Sequence, residues 1–160
     1  MMKQTYTQHD GRGVTIFEIM IGIGLVSLIL VFTTHAITRF VEVGGDIADK
    51  TEALYLAEES LEALRFLRDG SWSTVSGLTD GTEYYLSISS TTIGVTTTPE
   101  WVGIFRRSFV IDSVERDGND DIVTSGTPDG DSKYITASVS WGAPTSTVSL
   151  TTILADLQDS

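Results

Sequence analysis

The chain changes character sharply at residue 14. Residues 1–13 (MMKQTYTQHDGRG) are polar, whereas 16 of the 25 positions from 14 to 38 are hydrophobic and no charge falls between Glu18 and Arg39. A helix of that uncharged length rises about 30 Å at ~1.5 Å per residue, the thickness of a bilayer's hydrocarbon core. The pattern predicts a membrane-spanning helix over 14–38. Gly22, Gly24 and six isoleucines would weaken such a helix in water, but in lipid the backbone has no other hydrogen-bond partner.

Downstream the period changes. Within 39–69, Ile47, Leu54, Ala57, Leu61 and Leu64 recur at spacings of three, four and seven, with Glu52, Glu58, Glu59, Glu62 and Arg65 mostly off that stripe. This predicts an amphipathic helix, ended by Asp69-Gly70-Ser71. Gly44-Gly45 stands at the join, where it permits either a kink in one helix or a break with Asp46 as the N-cap of the next.

From residue 70 onward, 30 of 91 positions are Ser or Thr and short alternating runs replace the helical period. Strands are predicted over 82–89, 105–114, 134–141 and 146–154. Ile135, Ala137, Val139 and Trp141 share one face of the third run, as do Val148 and Leu150 in the fourth. Arg116-Asp117-Gly118-Asn119 and Gly142-Ala143-Pro144 mark turns. A meander sheet with one apolar face needs a cover, and the helix over 46–68 is the one available. The expected fold class is α+β: a long N-terminal helix, half membrane-spanning and half amphipathic, packed on a small antiparallel β-sheet head over 70–160.

Charge divides along the same lines. The net −12 of the chain lies wholly downstream of the apolar segment, with −4 in 39–69 and −8 in 70–160. Such a head repels phosphate backbones, so no nucleic-acid binding by the head itself is expected. There is no cysteine, which excludes disulfides, thiolate metal sites and cysteine nucleophiles. The two histidines, His9 and His35, both precede the head, and no nucleophile–base set or phosphate loop occurs, so no enzymatic centre is expected.

Some residues invite chemistry. Asp117, Asn119, Asp121, Asp129 and Asp131 crowd one region between the second and third strands, and oxygen-rich loops bind calcium. The EF-hand spacing fails, because Ile122 and Pro128 fall at its sixth and twelfth positions. No cofactor is expected: a solvated hairpin, whose Asp, Asn and Gly residues serve turn geometry, is the favoured reading, and a non-EF calcium site is the alternative. Trp72, Trp101 and Trp141 are either exposed recognition aromatics or packing residues, the latter favoured for Trp141. Arg106-Arg107 pairs with the acidic loop or a partner subunit, or lies on a solvated strand edge.

Glu18 stands inside the apolar run, where a carboxylate costs about 2.5–3.5 kcal/mol at the centre of a span and less near an interface. Either it reaches the headgroups or it meets a cation supplied on assembly. Its neighbours favour the second. Gly13-Val14-Thr15-Ile16-Phe17-Glu18-Ile19-Met20-Ile21, after a short basic leader, resembles the processing signal of type IV pilins and type II secretion pseudopilins. Gly13, Thr15, Glu18 and Met20 match the family pattern, while Val14 stands where the family usually has phenylalanine. The stretch ALYLAEESLEALR looks like the equivalent helix of pseudopilins and minor pilins.

The resemblance implies a pilin-like fold and a leader, residues 1–13, cut between Gly13 and Val14 by a prepilin peptidase. It also implies N-methylation of Val14, with Thr15 and Glu18 serving processing and assembly. The partners implied are other pilin subunits in a filament, the inner-membrane assembly machinery and the membrane itself. Basic residues before the span and acid after it fit a single pass with the N-terminus cytoplasmic and the head extracytoplasmic, later in a surface or periplasmic filament. A conventional secretory signal with a site at Thr34-His35-Ala36 is the alternative processing, and an anchored binding or adhesin module that never polymerises is the alternative function.

Overall fold

A computed structural model of the chain describes residues 15–89 and 92–157. It divides into two units, Met1–Asp46 and Ile47–Ser160. Helix α1 is assigned without interruption over Ile16–Gly70, so helical geometry continues through Gly44 and Gly45 and Asp46 does not start a new helix.

In the first unit every described residue is exposed. The helix there is long and apolar enough to cross a membrane. Its few hydroxyls are consumed internally: Ser27, Thr33, Thr34 and Thr38 each donate to the carbonyl four residues back, at 2.8, 2.8, 2.9 and 3.0 Å. A side chain bonded to its own helix presents little polarity to hydrocarbon.

The second unit joins the rest of α1 to a short helix α2 (Trp72–Ser76) and one antiparallel sheet. Its strands are β1 (Glu83–Ile88), β2 (Ile93–Thr96), β3 (Glu100–Val102), β4 (Phe105–Arg116), β5 (Ile122–Val123), β6 (Thr127–Trp141) and β7 (Ser146–Ala155). The order is β2-β1-β4-β6-β7. Strand β6 lines one edge of β4 from Arg106 to Arg116, and β3, β1 and β5 share the other. All four strands expected from alternation are present. The sheet is nevertheless not a plain meander, because β1 lies beside β4 with the short strands β2 and β3 inserted between them in sequence.

A two-residue turn, Gly103-Ile104, joins β3 to β4. Gly103 takes φ +60°, the geometry that such tight hairpins place on a leading glycine. Gly126 is needed for a different reason: an added Cβ would fall 2.3 Å from the Arg116 carbonyl oxygen.

On β4 the residues Phe105, Phe109 and Ile111 face α1, and on β6 Ile135, Ala137 and Val139 do the same, each no more than 2% exposed. Trp141 closes that row, half-buried, with its ring 5.7 Å from Phe105. Two clusters result. Ala53, Leu56 and Ala57 meet Phe105 and Val139, while Leu61, Ala63 and Leu64 meet Phe109, Ile111, Ile135 and Leu154.

The buried helix face is not the stripe expected from the large apolar residues. Ala57, Leu61 and Leu64 belong to it, but Ile47 is 61% exposed and Leu54 37%, while Ala53, Leu56, Ser60 and Ala63 are buried instead. The face is turned by less than one residue step of about 100°. Small helix residues leave room for the two sheet phenylalanines, and Ser60 is tolerated because its hydroxyl donates to the Leu56 carbonyl at 2.8 Å.

Truncating Leu64, fully buried, should therefore lower the unfolding free energy by roughly 2–5 kcal/mol. The change Leu54→Ala should cost about 1 kcal/mol or less. Chemical denaturation of the two variants tests the rotation, and equal losses would refute it.

Candidate functional site

Three groups of residues carry the chemistry that the sequence singles out. The first is the start of α1. Thr15 directly precedes the first helical residue, and its carbonyl accepts the N–H groups of Glu18 at 3.0 Å and Ile19 at 3.2 Å. Its hydroxyl lies 3.4 Å from the Glu18 nitrogen. Thr15 is thus the N-cap and Glu18 the third helical residue, the Thr-x-x-Glu spacing of a capping box. A carboxylate in the first turn also meets the positive end of the helix dipole. This local task was visible in the sequence as spacing, and it is independent of assembly. Gly13 and Val14 lie outside the described residues.

Beyond the cap, the helix surface is apolar and uncovered. Phe17 is 73% exposed, Phe32 66% and Phe40 82%, and the isoleucines and leucines between them are about half exposed or more. Monomeric soluble proteins rarely carry contiguous apolar surface on this scale. Among the described residues no cation pairs with Glu18.

The second group is the acidic region. Asp117 Oδ1 accepts the backbone N–H groups of Asn119 at 2.8 Å and Asp121 at 3.0 Å, which closes a turn and holds the Asp117 carboxyl below its ordinary value. Asp120 occupies the left-handed region at φ 69°, a conformation aspartate tolerates better than most residues. Asp129 does not join this turn. It lies at the start of β6, where the Arg116 guanidinium at 2.6 Å, and then the Asp131 N–H at 2.9 Å, lower its pKa. Asp117, Asn119 and Asp121 therefore gather in one turn, and Asp129 and Asp131 gather on a strand. Among the described residues, no group of three or more His, Cys, Asp or Glu is disposed to hold a metal ion.

The third group is the arginine pair, and for Arg107 the expected pairing with the acidic loop and the solvated strand edge are both corrected. Arg107 is only 2% exposed, on the helix-facing side of β4 between Phe105 and Phe109. It neither reaches the acidic loop nor lies on a solvated edge. Two of its nitrogens donate to the Glu100 carboxylate at 2.9–3.1 Å, and Nη1 sits 3.3 Å from Glu59 of α1 in an ionic contact without hydrogen-bond geometry. Arg107 thus ties strand β3 to helix and sheet. Arg106 points to the other face, 5.2 Å over the Tyr85 ring, and bonds Glu83 at 2.7 Å and the Tyr85 hydroxyl. Burial pushes the Glu83 carboxyl up, but hydrogen bonds from Tyr85, Ser108 and Arg106 more than offset this and leave it lowered. The signal for Arg107 was its place in the alternation, two residues from Phe105 and two from Phe109.

Trp72 and Trp141 pack against the core clusters, whereas Trp101 is 61% exposed.

Two outcomes follow for the head. Glu100→Gln should cost up to about 3–5 kcal/mol by leaving a buried guanidinium short of charge. Glu59, half exposed, should cost under ~1 kcal/mol when changed to Gln, and urea titration of both variants ranks them. Acid should destabilise the head through Asp117, Asp129 and Glu83. Their folded pKa values lie below the ordinary 3.8 and 4.5, so their stabilisation is complete above those values and is lost as pH falls through the lowered ones. The melting temperature should drop below about pH 4, and Asp129→Asn should flatten that drop; an unchanged slope in the variant counts against the Arg116 pairing.

Comparison of the chain with protein-family models, curated proteins and solved structures gives no match.

Proposed function

We propose that this chain is the precursor of a structural subunit of a type IV pilus or pseudopilus, assembled through its N-terminal helix. The observation that carries the proposal is the character of α1. Its first stretch is apolar and wholly exposed with one carboxylate at the third helical position, and its last turns pack on an antiparallel sheet. That surface has two stable environments, lipid and a bundle of identical helices, and passage from one to the other exchanges apolar neighbours for apolar neighbours.

Processing fits this scheme. Cleavage between Gly13 and Val14 removes Lys3 and Arg12 along with Asp10 and creates an ammonium at Val14. In a filament of parallel helices, that ammonium, N-methylated, meets Glu18 of a neighbouring subunit, so that a desolvated carboxylate gains an opposite charge. The precursor stands in the cytoplasmic membrane with a cytoplasmic N-terminus and the acidic head outside. Its partners are a prepilin peptidase, other pilin subunits and the assembly machinery of the membrane. The head supplies the filament surface.

Co-expression with a prepilin peptidase should shorten the chain by residues 1–13, read by intact mass. Retention of Met1–Gly13 would refute the proposal and leave an anchored binding module. Glu18→Ala should still be cut but should enter filaments more than about tenfold less, the equivalent of ~1.4 kcal/mol per subunit. Normal incorporation of the cleaved variant would remove the pairing with Val14.

A further inference from the structure

The head differs in charge from one end of its sheet to the other. Where α1 enters the head, Ala53, Leu56 and Ala57 pack on Phe105 and Val139. The loops of the sheet at that end are the β3–β4 turn, Gly103-Ile104, and the β6–β7 turn, residues 142–145. Neither carries a charge: none falls from Trp101 to Phe105, nor from Tyr134 to Ala155. The far end holds Asp117, Asp120, Asp121, Asp131 and Asp156. Strand β4 connects the two ends with 12 residues, about 35 Å at ~3.3 Å per residue.

The end with uncharged loops also exposes large apolar groups. Ile104 is 56% exposed at the second position of a two-residue turn, where Gly, Asn, Asp or Ser is usual. Trp101 is 61% exposed and stands on the face away from α1, since its register partner is Arg106. Asp49 and Glu52 precede Ala53 on the helix layer, across the sheet from Trp101. Such an isoleucine and tryptophan are unfavourable in water and favoured at a bilayer surface, where the indole ring meets apolar chains and its N–H meets polar groups. The chain itself brings such a surface near. Its helix is long and apolar enough to cross a membrane, and only residues 39–52 separate the uncharged stretch from Ala53, the first buried residue of the head. That tether is about 21 Å long as helix, and Gly44 and Gly45 within it are where it can bend.

We propose that the end of the head bearing Trp101 and Ile104 docks on a lipid surface, with both side chains in the headgroup layer and the acidic end turned away. Charge sets the direction. An anionic bilayer surface repels carboxylates over about 8 Å, one Debye length at physiological salt, and the acidic end lies several such lengths off. Arg106, the cross-strand neighbour of Trp101, is a cation that such a surface attracts. The inference rests on the membrane reading of residues 14–38 and on neither cleavage nor assembly.

Because the chain has no cysteine, single thiols report depth cleanly. The full-length chain, labelled with a nitrobenzoxadiazole dye in vesicles of phosphatidylethanolamine and phosphatidylglycerol, is read by quenching from lipids that carry a nitroxide near the headgroup or deep in the acyl chain. The Ile104→Cys probe should be quenched by the shallow nitroxide at least about twofold more than Asn119→Cys, exposed at the acidic end. Adding Trp101→Asp should about halve that quenching, since a carboxylate resists the interface. Far-UV circular dichroism should stay unchanged, as Trp101 is exposed. Ile29→Cys, in the uncharged stretch, separates the two readings. If the deep nitroxide leaves Ile29 unquenched, the membrane reading falls and this inference with it. Quenching at Ile29 with Ile104 no different from Asn119, or with Ile104 insensitive to Trp101→Asp, overturns this inference alone. Blue-shifted emission at Ile104 without quenching by lipid means that a protein surface covers it, and overturns it equally.

Discussion

The apolar surface of α1 between Ile16 and Val43 is the constraint from which the rest follows. Burying apolar area returns about 25 cal/mol per Å², and this stretch buries none of it within its own unit. In water that surface stays unburied. Between Ile16 and Thr38 the polar groups are arranged accordingly: four hydroxyls bond their own backbone, and the one carboxylate of those residues, Glu18, stands in the first turn against the helix dipole. The same helix continues, and from Ala53 to Leu64 its apolar face lies on a sheet.

Much of this was legible in the residues. The stretch from 19 to 38 is uncharged and long, so no tertiary contact is needed to recognise it, and three of the four expected strands appear within two residues of their expected ends, whereas β6 begins at Thr127, seven residues ahead of the expected 134. What escaped is what local pattern does not encode. Strands β2 and β3 have four and three residues, too few for a period to show, and they exist by pairing with β1 and β4. The helix stripe was displaced because alanine and serine carry little weight in a hydrophobic count, although facing Phe105 and Phe109 a small side chain is what the space admits. Of the candidate site, Thr15 and Glu18 gain a local capping geometry, and the acidic residues divide between a turn and a strand.

Arg107 shows the other limit of pattern. An arginine at an inward position contradicts alternation unless its charge is met, and of the two glutamates that meet it Glu100 lies across the β3–β4 hairpin while Glu59 comes from the helix, far off in sequence. Breaking such a pair costs more than the pair itself adds, because the charge left behind is buried. Glu100 thus holds β3 to β4 through Arg107, while the apolar clusters hold α1 on the sheet.

Leu154, nearly at the end of the described chain, packs in the same cluster as Leu61 and Leu64 of the helix. This joins the helix of the head to the last strand of its sheet, which bears on the order in which the core closes. A chain delivered N-terminus first presents its helical face long before β6 and β7 arrive to cover it. The hairpins β1–β2, β3–β4 and β6–β7 close over short loops, but the helix docks only when the C-terminal strand has emerged. A chain cut anywhere upstream of β7 leaves the core open on its last side.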